Sequence, residues 1–436
     1  MTIASTLLAP DPRLPMRDLL LDPGEAGRRL APRLGAGGPL ELRGCELVRA
    51  KYRVGESLRV VYRLHLDGAG DQVRVVAARM FREGASAGVY QRALSTAVPS
   101  PPLRPVARDA ELDSVYWSFP NDRRLTNLPA LAAVPEPSRG VLGRPWASSR
   151  LAAYAPEKSA TARCLDEAGA TLAYVKLYSL PEAGRHWRVL QAVARHGRLG
   201  GGVRVPAVLA CSDDRRMLWL EAIGGSPLGE LHGEALDQGM AALGTALARL
   251  HRMPAGGLPS FARLDLSRLH GSARVVGLAR PELAAAAARL ATTLADTWRR
   301  PAGEPVHLHG DVHHRNALVD RGRLTLIDLD QAGAGWPAAD LGSALARLIG
   351  DRLLGTLDAG RAAELALILL GAYADSAPLP EPASLRWHTA AALLAERALR
   401  AVNRVVVDTL PILGGLLAAG SALLAPVGEE LAEVPR

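Results

Sequence analysis

Apolar and polar residues alternate with a period of two in two separated stretches of the first half of the chain, and recur with a helical period through most of the second half. In the first stretch, Tyr52, Gly55 and Ser57 precede the alternating Val61-Tyr62-Arg63-Leu64-His65-Leu66, a turn at Asp67-Gly68-Ala69-Gly70, and a strand from Val73 to Phe81. In the second, Tyr154, Pro156, Lys158 and Ser159 precede Ala162-Arg163-Cys164-Leu165, a turn over Asp166 to Gly169, and a strand from Thr171 to Tyr178. Each predicts a hairpin, a third strand and then a helix, so the two form an internal repeat. Between them Val115-Tyr116-Trp117-Ser118-Phe119 predicts a strand stopped by Pro120-Asn121-Asp122, followed by a proline-rich connector with a boundary near Gly143. Residues before Leu40 carry weak helical signals at Arg17 to Leu21 and Glu25 to Leu34. Val205 to Ala210 and Met217 to Ile223 predict an antiparallel pair closing the sheet region.

From Ala235 the period is helical, with Met240, Leu243, Leu247 and Leu250 on one face ahead of His251. Further helices are expected over Pro281 to Trp298, Leu341 to Ile349, Arg361 to Tyr373 and Leu385 to Val407. The uncharged run Leu410 to Val427 is interrupted by Pro411, Gly414, Gly415, Gly420 and Pro426, which predicts a buried terminal helix and no stable membrane insertion. The layout is α+β: an extension and cap over 1–143, a small sheet-rich lobe over 144–223, and a helical lobe over 224–436.

Composition narrows this reading in three places. At 436 residues and 48% hydrophobic the chain supports more than one packed unit. Cys45, Cys164 and Cys211 are far apart, with no C-x-x-C pair, which fits a reducing cytoplasm; the first residues also lack the basic start of an export signal. The net charge of +8 comes from scattered arginines without a basic run interleaved with aromatics, so no nucleic-acid partner is expected. Only Lys51, Lys158 and Lys176 are lysines. In a chain that uses arginine for positive charge, such a lysine points to a task for a compact ammonium.

The densest polar cluster is His307-Leu308-His309-Gly310-Asp311-Val312-His313-His314-Arg315-Asn316, followed by Ile327-Asp328-Leu329-Asp330 and by Asp340-Leu341-Gly342. Phosphoryl transfer needs a carboxylate near the attacking hydroxyl, hard oxygen ligands for magnesium, and a cation on the nucleotide phosphates. A loop holding Asp311 and Asn316, then a short hairpin ending at Asp328, supplies that set of groups.

These residues resemble the H-G-D-x-x-x-x-N and I-D signatures of the aminoglycoside phosphotransferase and choline kinase superfamily, relatives of the protein kinases. The resemblance spans about residues 150 to 410. It implies a protein-kinase-like two-lobed fold with an antiparallel N-lobe and a helical C-lobe, the cap being a degenerate copy of the N-lobe. It implies an ATP- (or other nucleoside triphosphate-) and Mg2+-dependent kinase of a small molecule's hydroxyl. Asp311 would then be the base or hydroxyl-orienting residue, Asn316 and Asp328 the magnesium ligands, and Lys176 the strand lysine on the phosphates. Lys158, at the tip of the nucleotide-covering hairpin, and the hinge segment Leu218 to Ile223, with Glu221 and Ile223, would complete the nucleotide site. Asp340 would brace the catalytic loop. The acid that should pair with Lys176 is hard to place, Glu182 being the only candidate before Glu221. Leu329-Asp330 replaces the Phe-Gly of protein kinases, which argues against protein substrates, and Asp330 has either a metal or a loop role.

Two other classes stand beside this one. A pseudokinase would keep the fold without turnover. The run H-x-H-x-D-x-H-H is also similar to the zinc loop of metallo-β-lactamase-like hydrolases, although Val312 interrupts it. For the acceptor, acids and arginines alternate after Asp340 with no acidic field, so a sugar or polyol is expected ahead of an aminoglycoside, with Trp336, Trp387 and His388 as lining residues.

Overall fold

The computed structural model describes residues 7–67, 72–131, 143, 145–197, 202–261 and 264–425. The turn expected at 67–70 and the proline-rich connector lie largely outside them. The chain forms two compact units, the first made of the described residues through 197 with 204–224 and 403–405, the second of 202–203, 225–402 and 406–425.

The first unit opens with α1 (Arg17–Leu21) and α2 (Pro23–Leu34). The sequence placed the start of α2 at Glu25. It begins two residues earlier because Pro23 occupies the first turn and the Asp22 carboxylate accepts the Glu25 N–H at 2.9 Å. Next come β1 (Leu42–Arg53), β2 (Ser57–Leu66), β3 (Gln72–Met80), α3 (Ser86–Leu94), β4 (Val106–Asp109) and β5 (Ser114–Ser118). The second copy runs β6 (Ser148–Ala155), β7 (Ser159–Leu165), β8 (Thr171–Tyr178), α4 (Ala183–His196), β9 (Val208–Ser212) and β10 (Met217–Glu221). Both are five-stranded antiparallel sheets, ordered β1-β2-β3-β5-β4 and β6-β7-β8-β10-β9. The internal repeat therefore extends past the three strands and helix legible in sequence to a closing hairpin in each copy.

Alternation explains how the two sheets meet. Val61 and Ala77 of the first sheet and Tyr154, Ala160, Ala162 and Val175 of the second fall in one buried cluster, filled by Leu125, Leu128 and Trp146. At the edge of this core the tip of the β6–β7 hairpin is fastened by charge. Glu157, in a left-handed turn position at φ 65°, is 7% exposed. Arg123 reaches its carboxylate at 2.7 and 2.8 Å, Arg79 at 2.6 Å and Arg59 at 3.3 Å. Arg79 is the cap's counterpart of Lys176. At that repeat position the cap thus carries a guanidinium that grips the neighbouring copy's hairpin.

The second unit contains α5 (Gly233–His251), α6 (Leu266–Ala279), α7 (Ala284–Thr297), α8 (Pro337–Leu353), α9 (Ala359–Ala374), α10 (Pro382–Ala392), α11 (Leu399–Arg404) and α12 (Leu413–Leu424). A π-helical turn, Leu393–Ala398, joins α10 to α11. α6 is not among the helices expected from the sequence, although Leu269, Ala273, Val276 and Ala279, with Ser272, form its buried face; Leu266 and Leu278 are exposed and blur that pattern. The terminal helix α12 buries Leu413, Leu416 and Leu417, and among the described residues no helix is long and apolar enough to cross a membrane. Short strands β11 (Ser226–Pro227), β12 (Val306–Leu308), β13 (Ala317–Asp320), β14 (Arg323–Leu326) and β15 (Gly333–Gly335) carry the polar cluster.

The Glu157 network predicts an acid-sensitive cap. Burial alone would raise this carboxyl, but the hydrogen bonds and charges of Arg123 and Arg79 hold it down to about 2. A depressed folded value gives stability that is complete above the ordinary glutamate value and lost as pH falls toward 2, in all roughly 3 kcal/mol. Glu157→Gln should therefore lower the urea midpoint of the wild-type chain at pH 7, by about 3 kcal/mol in unfolding free energy. The gap between the two proteins should narrow as pH falls below 4.5. A loss below about 1 kcal/mol would contradict the network's structural weight.

Candidate active site

One buried carboxylate sets the geometry of the polar cluster. Asp340, near the start of α8, is 1% exposed. It accepts the His309 N–H at 2.7 Å on Oδ2 and the Gly310 N–H at 2.9 Å on Oδ1. His251 Nε2 approaches the same Oδ2 at 3.1 Å, and His251 Nδ1 meets the Tyr373 hydroxyl at 3.0 Å. Burial would raise the Asp340 carboxyl, yet the His251 hydrogen bond and charge and the Gly310 amide together hold it below the ordinary value. The bracing role read from the sequence for Asp340 is thus visible as two main-chain hydrogen bonds to the residues just before Asp311. Gly310 makes the turn possible: its φ is +77°, and a Cβ there would meet the Gln331 carbonyl.

The loop is closed on its other side by its own polar groups. His309 Nε2 donates to the Ile327 carbonyl at 3.1 Å, while Nδ1 accepts the Asp311 N–H at 3.3 Å. Asn316, 6% exposed, donates Nδ2 to the Asp311 carbonyl at 3.1 Å, and its own carbonyl accepts the Ile327 N–H at 2.9 Å. Asn316 therefore bonds the main chain of Asp311 and that of Ile327, the residue before Asp328, which draws these two segments together. The β13–β14 hairpin, with Ala317 opposite Leu326, returns the chain for that closure. Asp328 lies in the left-handed region at φ 62° and is exposed, whereas Asp330 is half-buried in the following turn.

This donor set suits a hard divalent cation. One carboxylate from Asp328 and one carboxamide oxygen from Asn316, whose amide nitrogen is already bonded, match magnesium's preference for few protein oxygens plus phosphate and water. It does not suit zinc. Among the described residues no group of three or more His, Cys, Asp and Glu side chains is placed to hold a metal, and both His309 nitrogens are hydrogen-bonded within the loop. His313 is held near 3 and His314 near 4, by burial first and the Arg347 charge next, so both stay neutral at physiological pH.

In the first unit, Lys176 sits on β8 opposite Thr161 of β7 and Leu218 of β10, with Nζ 5.6 Å from the centre of the Tyr178 ring. Lys158 is exposed at the β6–β7 turn, where its N–H bonds the Ala155 carbonyl. Glu221 ends β10; its N–H donates to the Ala207 carbonyl, its side chain accepts the Ala207 N–H at 3.0 Å, and Ile223 follows half-buried. Glu182 is the residue capping the start of α4 and makes no side-chain cap bond.

With the geometry in view, the comparisons decide the family. Residues 152–401, more than half of the chain, match the APH phosphotransferase enzyme family. The chain belongs to that family. No curated protein matches it. Among solved structures, it is similar to amicoumacin kinase hAmiN, at 14% identity, 67% coverage of this chain and 94% of that one, with a TM-score of 0.46. It is also similar to macrolide 2'-phosphotransferase MphH from Brachybacterium faecium, at 22% identity, 69% and 99% coverage and 0.44. A third is a choline/ethanolamine kinase family protein from Mesorhizobium loti, at 20%, 68% and 93%, and 0.41.

Two features of this phosphotransferase were not read from the sequence. The first is Arg400, whose Nη2 meets Asp311 Oδ1 at 2.7 Å across 89 residues of chain. The second is Trp298, which joins the expected Trp336, Trp387 and His388 around a cavity of about 320 Å³. Trp387 bonds the Leu294 carbonyl and packs in a tilted contact against Trp298, ring centres 4.5 Å apart, so it is packed as well as lining.

Asp340→Asn tests the bracing. It sets amide hydrogens against two N–H donors and leaves at least one buried donor unsatisfied, at about 1–3 kcal/mol each. The thermal midpoint should fall by several degrees and phosphotransfer by at least about tenfold. Wild-type stability and rate in this variant would contradict the role.

Proposed function

We propose that this phosphotransferase moves the γ-phosphoryl group of ATP to a hydroxyl of a small molecule with Mg2+ present. The observation that supports this reading is the bonding of Asn316 to the main chain of Asp311 and of Ile327, beside Asp328, in a loop braced by buried Asp340. The family assignment supports the reaction class.

Asp311 orients the acceptor hydroxyl and takes its proton as the hydroxyl oxygen bonds to the γ-phosphorus and the bond to the ADP oxygen breaks. Arg400 fixes one Asp311 oxygen, so the carboxylate enters the reaction already oriented. Asn316 and Asp328 would hold the magnesium, which would supply charge neutralisation on the phosphates. Lys176 contacts the α- and β-phosphates and Lys158 the phosphate tail, while Glu221 and Ile223 offer main-chain groups to the adenine. The reducing cytoplasm expected from the cysteines suits this role, and Cys45, Cys164 and Cys211 are free thiols.

The test is Mg2+-dependent ADP release over a panel of hydroxyl compounds. Asp311→Asn should lower kcat at least about a hundredfold, and Lys176→Ala should raise the KM for ATP. Undiminished turnover in Asp311→Asn, or turnover in excess chelator, would overturn the proposal.

A further inference from the structure

Around Asp311 the second unit concentrates guanidinium groups. Arg347 lies on α8, and Arg397 and Arg400 lie three residues apart on the π turn and α11. Arg400 is paired with Asp311. Arg397 lies flat over Gly350, one turn of α8 beyond Arg347: a Cβ at Gly350 would stand 2.9 Å from Nη2 and 3.1 Å from Nε, so the glycine makes room for the guanidinium. Burial and then the Arg397 charge pull Arg347 down to about 10, the Arg400 charge also contributing, so the three cations feel one another.

Asp311 contacts Arg400, whereas Asp351 and Glu396 act on Arg347 and Arg397 through their charge. Glu396 Oε2 accepts the Ser343 hydroxyl at 2.6 Å, and the same hydroxyl lies 3.5 Å from the Val312 carbonyl. Asp351, one turn from Arg347, is itself raised by burial. The Nε atoms of Arg347 and Arg397 are buried with no hydrogen-bond partner among the described residues. Buried guanidinium nitrogens are costly to leave unbonded, and the geometry that satisfies them is the planar fork of a carboxylate or phosphate. The π turn matters here because it shifts the phase of the helix by one residue at Glu396 and Arg397, a distortion found often at functional sites.

We infer that the acceptor hydroxyl belongs to an anionic molecule, whose carboxylate or phosphate is bound by Arg347 and Arg397 while Arg400 holds Asp311. This rests on the phosphotransferase reading above and deepens it. A cationic amine is disfavoured at the same place, since it would meet the like charges of Arg347 and Arg397.

Matched sets test this: glycerol against glycerate and glycerol 3-phosphate, and glucose against gluconate and glucose 6-phosphate. Binding to the full chain with MgADP is measured by calorimetry, and kcat/KM is measured for any member that turns over. The anionic members should bind at least tenfold more tightly than their neutral partners, with affinity falling as salt rises. Arg347→Gln and Arg397→Gln should each reduce that preference, and carboxylate against phosphate identifies which oxyanion the fork takes. Equal or stronger binding of the neutral members, no binding of any anion while ADP is bound, or a preference that survives both substitutions overturns the inference and leaves the kinase reading standing. Failure to bind ADP would overturn the kinase reading and this inference with it. A change confined to the KM for ATP would assign the arginines to the nucleotide and also overturn it.

Discussion

The Asp340 carboxylate is the constraint on which the catalytic loop depends. It is fully enclosed, it takes two main-chain N–H groups from His309 and Gly310, and it is paired behind by His251, itself fixed by Tyr373. A buried acid of this kind holds a loop because leaving any of those donors unmatched costs more than the loop gains by moving. Gly310 adds a conformation few residues adopt, and His309 ties the loop to the Ile327 carbonyl. Positioning is most of what phosphoryl transfer requires from a protein, so in the proposed function the braced loop itself would be the catalytic device.

The first unit shows how a duplicated sheet can be put to a different use. Both copies share strand order, and their apolar faces merge in one core. Where the second copy carries Lys176, the first carries Arg79, engaged with Glu157 at the tip of the second copy's hairpin. The same repeat position thus holds a cation in both sheets, and in the cap that cation is committed to an internal ion pair.

Much of this was legible in sequence because it rests on short-range pattern. The two hairpins announced themselves by alternation, and β8 has the bounds expected, Thr171 to Tyr178, since apolar residues and a turn frame it. Asp311, Asn316 and Asp328 stood out because their spacing is fixed by one loop and one hairpin. The arginine cluster did not. Along the chain Arg347, Arg397 and Arg400 are interspersed with acids and read as a neutral mixture. Only the pairing of α8 with the π turn brings the three guanidiniums together, while Ser343 draws the Glu396 carboxylate aside. A π turn also breaks the 3.6-residue count, so no periodic reading could have assigned those side chains to a face. α6 escaped for a different reason: exposed Leu266 and Leu278 fall outside the buried row of Leu269, Ala273, Val276 and Ala279 and obscure its period.

The central claim is that the Asp340-braced loop and the β13–β14 hairpin build a divalent-cation site from Asn316 and Asp328. The most direct measurement is an anomalous-scattering map of crystals grown with Mn2+ and a non-hydrolysable ATP analogue. The account predicts a Mn2+ peak bonded to both the Asn316 amide oxygen and the Asp328 carboxylate. Nucleotide bound with manganese coordinated elsewhere, or with no manganese at these two residues, would contradict it.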